Sequence, residues 1–195
     1  MKYFKKIIGK TVYLSPLNPE DERDLEIYTR WINDLSVSVR LGSAVGTYSL
    51  KSERGFLEDL ARGGHLYAII LMENNELIGN CSLFEIDHIN RTASTGLFIG
   101  EKEYRSKGYG AEAVQLIVEY GFRILNLNNI MLKVFEFNKP AIRCYEKAGF
   151  TVFGRRKASY LLNGTFYDEL FMEILAGDLK TSFMEETLTN SGLQP

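Results

Sequence analysis

The segment Arg105-Ser106-Lys107-Gly108-Tyr109-Gly110 sets two glycines where a charged loop runs into a helix, with two cations just ahead of them. Glycine leaves backbone N–H groups uncovered, so a ligand can approach them closely. At a helix N-terminus those groups lack partners, and the helix dipole adds to the pull of Arg105 and Lys107 on an anion. A phosphate-bearing ligand fits this chemistry. The segment is not a P-loop, because no Gly-Lys-Ser/Thr follows at the required spacing. Gly108 to Ala113 does match a G-x-G-x-x-A variant, and Glu136 follows the next strand. In a dinucleotide-binding turn, however, the first glycine directly follows its strand. Here Glu101 to Lys107 intervenes, which disfavours a nucleotide-binding oxidoreductase. Alone, G-x-G is a weak signal that flexible turns share.

A second cluster of polar groups lies in Asn138-Lys139-Pro140-Ala141-Ile142-Arg143-Cys144-Tyr145. Asn138 suits an N-cap ahead of Pro140. The Tyr145 phenol can donate a proton at neutral pH while uncharged, or simply pack beside Ile142. Cys144 has no histidine or acid near it in sequence to activate it, so a packed thiol is the better reading. Glu85, Asp87 and Glu101 fall near predicted strand ends, where a carboxylate could relay a proton through water. Two cysteines and two histidines, widely scattered, make no metal site.

The elements that must position these groups follow from hydrophobic period and punctuation. Thr11 to Leu14 reads as a strand. Asn18-Pro19-Glu20-Asp21 reads as a helix start, followed by Leu25, Tyr28, Trp31 and Ile32 at helical steps. Ser36 to Tyr48 has no clear period and reads as a loop. Ser49 caps a helix through Leu60 with Phe56, Leu57 and Leu60 inward. Strands over 65–72, 77–86 and 91–99 form an antiparallel meander. A helix from Tyr109 to Leu125 carries Val114, Ile117, Val118, Phe122 and Leu125 on one face. A strand over 129–135 precedes a helix over 138–147, and Asn163-Gly164 joins a final hairpin. The helical crossover between the strands 91–99 and 129–135 predicts that they are parallel. The fold class is mixed α/β, a mostly antiparallel sheet with helices on both faces.

Composition bounds the rest. The chain has 195 residues, 45% hydrophobic and 25% charged, with a net charge of −2. That suits one globular domain over 1–195, with a core from about 11 to 175 and a polar tail from about 177. Nothing divides the chain. The charge balance argues against nucleic acid as partner, and no apolar run reaches membrane-spanning length. Lys2, Lys5, Lys6 and Lys10 read as a solvated N-terminus, so a cytoplasmic protein is expected. Homo-oligomer formation stays open.

Taken together, Arg105-x-x-Gly108-x-Gly110 and Asn138 to Phe150 resemble the two central motifs of the GNAT superfamily of N-acetyltransferases. Trp31-Ile32-Asn33-Asp34 and Asn163 to Asp168 make the resemblance closest to the Rim-type branch, which includes ribosomal-protein N-terminal and spermidine acetyltransferases. The resemblance covers about Thr11 to Leu175. It implies acetyl-CoA as cosubstrate, no metal, and a primary amine or peptide N-terminus as acceptor. It implies that Arg105, Ser106, Lys107, Gly108, Tyr109 and Gly110 hold the pyrophosphate and that Phe98, Ile99 and Gly100 offer backbone groups to the acetyl-pantetheine arm. Asn138 then sits near that arm, and Tyr145 protonates the departing thiolate. Acceptor contacts are expected from Trp31, Asp34, Tyr48 and Glu85. One departure stands out: where some relatives carry a glutamate base on the strand before the asparagine, this chain has Lys133. A catalytically silent CoA-binding regulatory module is the competing reading, though it has no need of Tyr145.

Overall fold

The meander expected between residues 65 and 99 forms the middle of one eight-stranded sheet. A computed structural model describes residues 2–180 and 182–184; of the polar tail expected from about 177, the remainder lies outside the described residues. In chain order the strands are β1 (Ile7–Ile8), β2 (Val12–Pro16), β3 (Leu66–Leu71), β4 (Leu77–Asp87), β5 (Thr92–Ile99), β6 (Asn129–Phe135), β7 (Thr151–Leu162) and β8 (Thr165–Leu175). They pair in the order β1-β2-β3-β4-β5-β6-β8-β7. Every pairing is antiparallel except β5 with β6, as the crossover requires. The turn at Asn163 (φ 48°) and Gly164 (φ 75°) has the two left-handed residues that match strand twist in a tight hairpin.

Helices cover both faces. On one face α1 (Glu22–Asn33) and α3 (Leu50–Arg62) bury Leu25, Tyr28, Trp31 and Leu57 against Tyr13, Ala68 and Ile70. On the other, α4 (Tyr109–Arg123) and α5 (Lys139–Lys147) bury Val114, Ile117, Val118, Ile142 and Tyr145 against the opposite sides of the same strands. Strand alternation therefore directs Leu97 and Ile99 to the α4 face and Ser94 and Phe98 to the α1 face.

Three expectations are corrected. The first helix starts one turn later than expected: Asp21 Oδ1 accepts the Asp24 N–H at 3.0 Å, while Asn18 closes a turn by accepting from Glu20 N at 3.1 Å. Ser36 to Tyr48 is not all loop. It contains α2 (Leu35–Leu41), capped by Asp34, whose carboxylate accepts from Ser36 N at 2.7 Å, and closed by left-handed Gly42. Two turns give hydrophobic period too few positions to show. Phe56 is exposed, so Leu57 carries the buried face of α3.

Candidate active site

The parallel pairing of β5 and β6 is short. Thr92, Ala93 and Ser94 pair with Asn129, Ile130 and Met131, and no pairing follows. Beyond Ser94 the two strands part, because β6 pairs with β8 along its whole length while β5 stays with β4. The backbone of Leu97 to Ile99 is left facing a gap with hydrogen-bonding groups to spend. A cavity of about 570 Å3 occupies this place, lined by Leu97, Phe98 and Ile99, by Ser106, Gly108 and Gly110, and by Asn138, Cys144 and Tyr145.

The glycine-rich loop forms one end of it. Ser106 (φ 62°) and Gly108 (φ 99°) are left-handed, a pattern that turns successive N–H groups toward one concave side. Among the described residues no protein acceptor meets the N–H groups of Ser106 to Gly110; the Glu112 N–H, bonded to Gly108 O at 3.1 Å, begins the helical ladder. A Cβ on Gly108 would meet open space, so its glycine answers to backbone conformation and to what fills the cavity. Gly110 lies over Cys144, Leu97 and Ile99, where a single Cβ would make ordinary contacts of 3.4–3.8 Å.

Arg105 is placed differently from a phosphate-binding cation. Its guanidinium donates to Ile99 O at 3.1 Å and to Gly100 O, bracing the strand end from which the loop departs. Lys107 lies 5.7 Å over the ring of Tyr104, and Tyr109 packs edge-on to Tyr104. Other cations reach the cavity: Arg40 from α2, Lys102 from the loop, Arg143 and Lys147 from α5. Among the described residues no carboxylate lines it. These four escaped the sequence reading because they come from three separate elements, and only the fold gathers them.

At the closed end, Tyr145 is buried and lines the cavity beside Leu97. Burial, then the neighbouring Cys144, push its pKa up, so it stays protonated. Burial also raises the Cys144 thiol to about 11, which removes it as a nucleophile at neutral pH. Asn138 occupies the N-cap position of α5, yet its side chain makes no capping bond and is free to face the cavity.

Trp31, Asp34, Tyr48 and Glu85, expected on the acceptor side, do not line this cavity. Trp31 is buried, edge-on to Tyr28 and Phe98, and its indole N–H donates to Glu101 at 2.9 Å. Any side chain at Gly100 would run into that indole, which explains the glycine. Asp34 is the α2 cap. Tyr48 O–H donates to Ser43 O at 3.2 Å, closing the loop after α2. Glu85 sits on a bulge of β4 in a left-handed conformation (φ 52°) and accepts from Ser94 Oγ at 2.7 Å. Ser94 is the last residue of β5 paired with β6, so Glu85 marks the fork. Asp87 is bound by Asn90, and Glu101 by Arg30 and Trp31. Lys133 is exposed, 6.0 Å over Phe171. An aromatic stack unforeseen from sequence completes this side: Phe135 lies 4.3 Å from Tyr160 and 5.4 Å from Phe137, its edge against Gly42.

The model of the acetyltransferase (GNAT) domain matches residues 11–151. The chain is 31% identical over 177 residues to the probable N-acetyltransferase YjcK of Bacillus subtilis (strain 168), covering 87% of this chain and 97% of that protein. It is 35% identical over 99 residues to the spermidine N(1)-acetyltransferase of Escherichia coli (strain K12), a match spanning 51% of this chain and 53% of that one. In fold it is similar to the spermidine N-acetyltransferase of Vibrio cholerae in complex with CoA and spermine, with TM-score 0.76 and 24% identity over 89% of this chain and all of that one. A strand fork opening beside a glycine-rich helix start thus agrees with an independent match over most of the sequence, and the chain belongs to the GNAT acetyltransferase family.

Proposed function

We propose that this enzyme transfers an acetyl group from acetyl-CoA to a primary amine by direct attack, with both substrates bound at the β5–β6 fork. The observation that carries this reading is the fork itself. It couples an anion cradle at residues 106–110, five cations (Arg40, Lys102, Arg105, Arg143 and Lys147), and a buried protonated phenol in one cavity that no carboxylate of the described residues lines.

The pyrophosphate of the coenzyme docks on the N–H groups of Ser106 to Gly110, and the pantetheine arm lies along the β5 edge at Leu97 to Ile99 that β6 leaves uncovered. N–H groups there polarise the thioester carbonyl and steady the oxyanion. The amine arrives from the α1 face, through the region bounded by Ser94, Phe135 and the end of α2. Its nitrogen bonds to the carbonyl carbon, the C–S bond breaks, and the Tyr145 phenol gives its proton to the departing thiolate. Amines are mostly protonated at neutral pH, so the nitrogen sheds two protons, one to a base before attack and one that restores the Tyr145 phenol after it. Glu85, beside the fork, serves through water in place of the absent glutamate at Lys133. Asn138 holds the pantetheine amides.

The acceptor is a small amine or a peptide N-terminus. Spermidine stands first on the panel because of the related enzymes. The test is free-thiol release from acetyl-CoA with spermidine, amino sugars and N-terminal peptides. One class should give saturable turnover; CoA binding without turnover on any amine would instead support a regulatory module.

A further inference from the structure

Four aromatic rings beside the fork belong to neither core. Phe135 ends β6, and because Ile130, Leu132 and Val134 pack toward α4, its ring projects to the α1 side. Tyr160 stacks on it at 4.3 Å, Phe137 lies nearly parallel at 5.4 Å, and Tyr167 meets Phe137 edge-on at 5.0 Å. All four are half-buried, since α1 and α3 cover β2, β3 and β4 instead. The group adjoins the coenzyme cavity at two points. Gly42, at the end of α2, is seated on the Phe135 ring, where a Cβ would come within 3.1 Å; the preceding Leu41 is 40% exposed and lines the cavity. Asn138 lines it too and directly follows Phe137. Rings left half-open at the mouth of a cavity offer apolar area and π faces to whatever enters.

Charge points the same way. Arg40, Lys102, Arg143 and Lys147 line the cavity, and among the described residues no carboxylate does. Next to the stack, Glu136 and Asp168 share Arg155 at 3.3 and 2.8 Å, and Glu169 lies between its cross-strand neighbours Phe135 and Arg156. A polyamine that has released one proton still carries charge on its other nitrogens. Each of these carboxylates already has a cation beside it. A monoamine is neutral once deprotonated, so its body asks only for an apolar surface.

We propose that the acceptor is a primary monoamine carrying an aromatic ring, which packs against Phe135 and Tyr160 while its nitrogen reaches the fork. This rests on the fork being the acetyl-transfer site, and it departs from the polyamine of the related spermidine enzymes. The test is calorimetric titration of phenethylamine, butylamine and spermidine, each to millimolar concentration, into protein saturated with CoA. CoA binding is measured first, and its absence would strike the acetyl-transfer reading and this proposal with it. With CoA in place, phenethylamine should bind about tenfold or more tightly than butylamine, the effect of burying and stacking a ring, and more tightly than spermidine. Phe135→Ala and Tyr160→Ala should each remove most of that advantage, with CoA affinity within about twofold of wild type. Tyr160→Phe keeps the ring and should keep the advantage, which separates stacking from damage to the fold. Spermidine binding as tightly as phenethylamine, phenethylamine no tighter than butylamine, or an advantage that survives both alanine variants would overturn the proposal and leave acetyl transfer standing.

Discussion

Tyr145 is where the proposed chemistry is most exposed to test. Its phenol is protonated because burial raises its pKa, and its ring is positioned by the edge-on contact with Phe150. Tyr145→Phe keeps the ring and its edge-on contact with Phe150 at 5.8 Å. We therefore expect kcat to fall by about a hundredfold or more, the usual size of a lost general acid, with CoA affinity within about twofold of wild type. Steady-state kinetics beside equilibrium binding separate the two effects. At the glycine loop the geometry sharpens an expectation that sequence alone left blunt. A lone Cβ at Gly110 makes only ordinary contacts, so Gly110→Ala should retain CoA binding. Gly110→Val puts two further methyls between α4 and the Leu97–Ile99 strand, and CoA binding measured by titration should be lost with the fold intact.

Elements account for what was legible in the sequence and what was not. The meander, α4 and the Asn163-Gly164 hairpin were readable because each carries its signal within one contiguous stretch. The loop at 105–110 was readable for the same reason. The fork was not, since it depends on where the β5–β6 pairing stops. The fate of Arg105 was equally hidden: spacing marks a cation near the anion site, but only the fold shows it spent on the Ile99 and Gly100 carbonyls. Helix α2 was missed because its two turns hold one buried apolar residue, Val37, among serines. A further element-level dependence concerns Glu112, in the first turn of α4. Its carboxylate accepts from Thr11 N at 2.8 Å, Thr11 Oγ1 at 2.6 Å and Val12 N at 3.3 Å, and so ties the β1–β2 turn to the helix that begins at the glycine loop. Glu112→Ala should cost about 2–4 kcal/mol, as expected for several hydrogen bonds to one charged group. Urea denaturation would measure it.

Across the whole molecule, one sheet separates two cores, with the coenzyme proposed to bind on the α4 side and the amine on the α1 side. The core on the α1 side carries a buried carboxyl, Glu53, with Oε2 lacking a partner among the described residues. Burial raises its pKa in the folded chain. The stability it contributes is present while it is protonated, below its unfolded pKa, and is lost as pH rises through the raised folded value. Wild type should therefore lose stability relative to Glu53→Gln as pH rises above the ordinary glutamate range, read as the difference of their melting temperatures. Among the described residues no helix is long and apolar enough to cross a membrane.

A crystal structure of the chain with CoA tests the central claim most directly. Pyrophosphate oxygens are expected on the N–H groups of Ser106 to Gly110, the pantetheine arm in the gap between β5 and β6, and the thiol within hydrogen-bonding reach of the Tyr145 phenol. Phosphates seated elsewhere, or a pantetheine arm that leaves the fork unfilled, would contradict it.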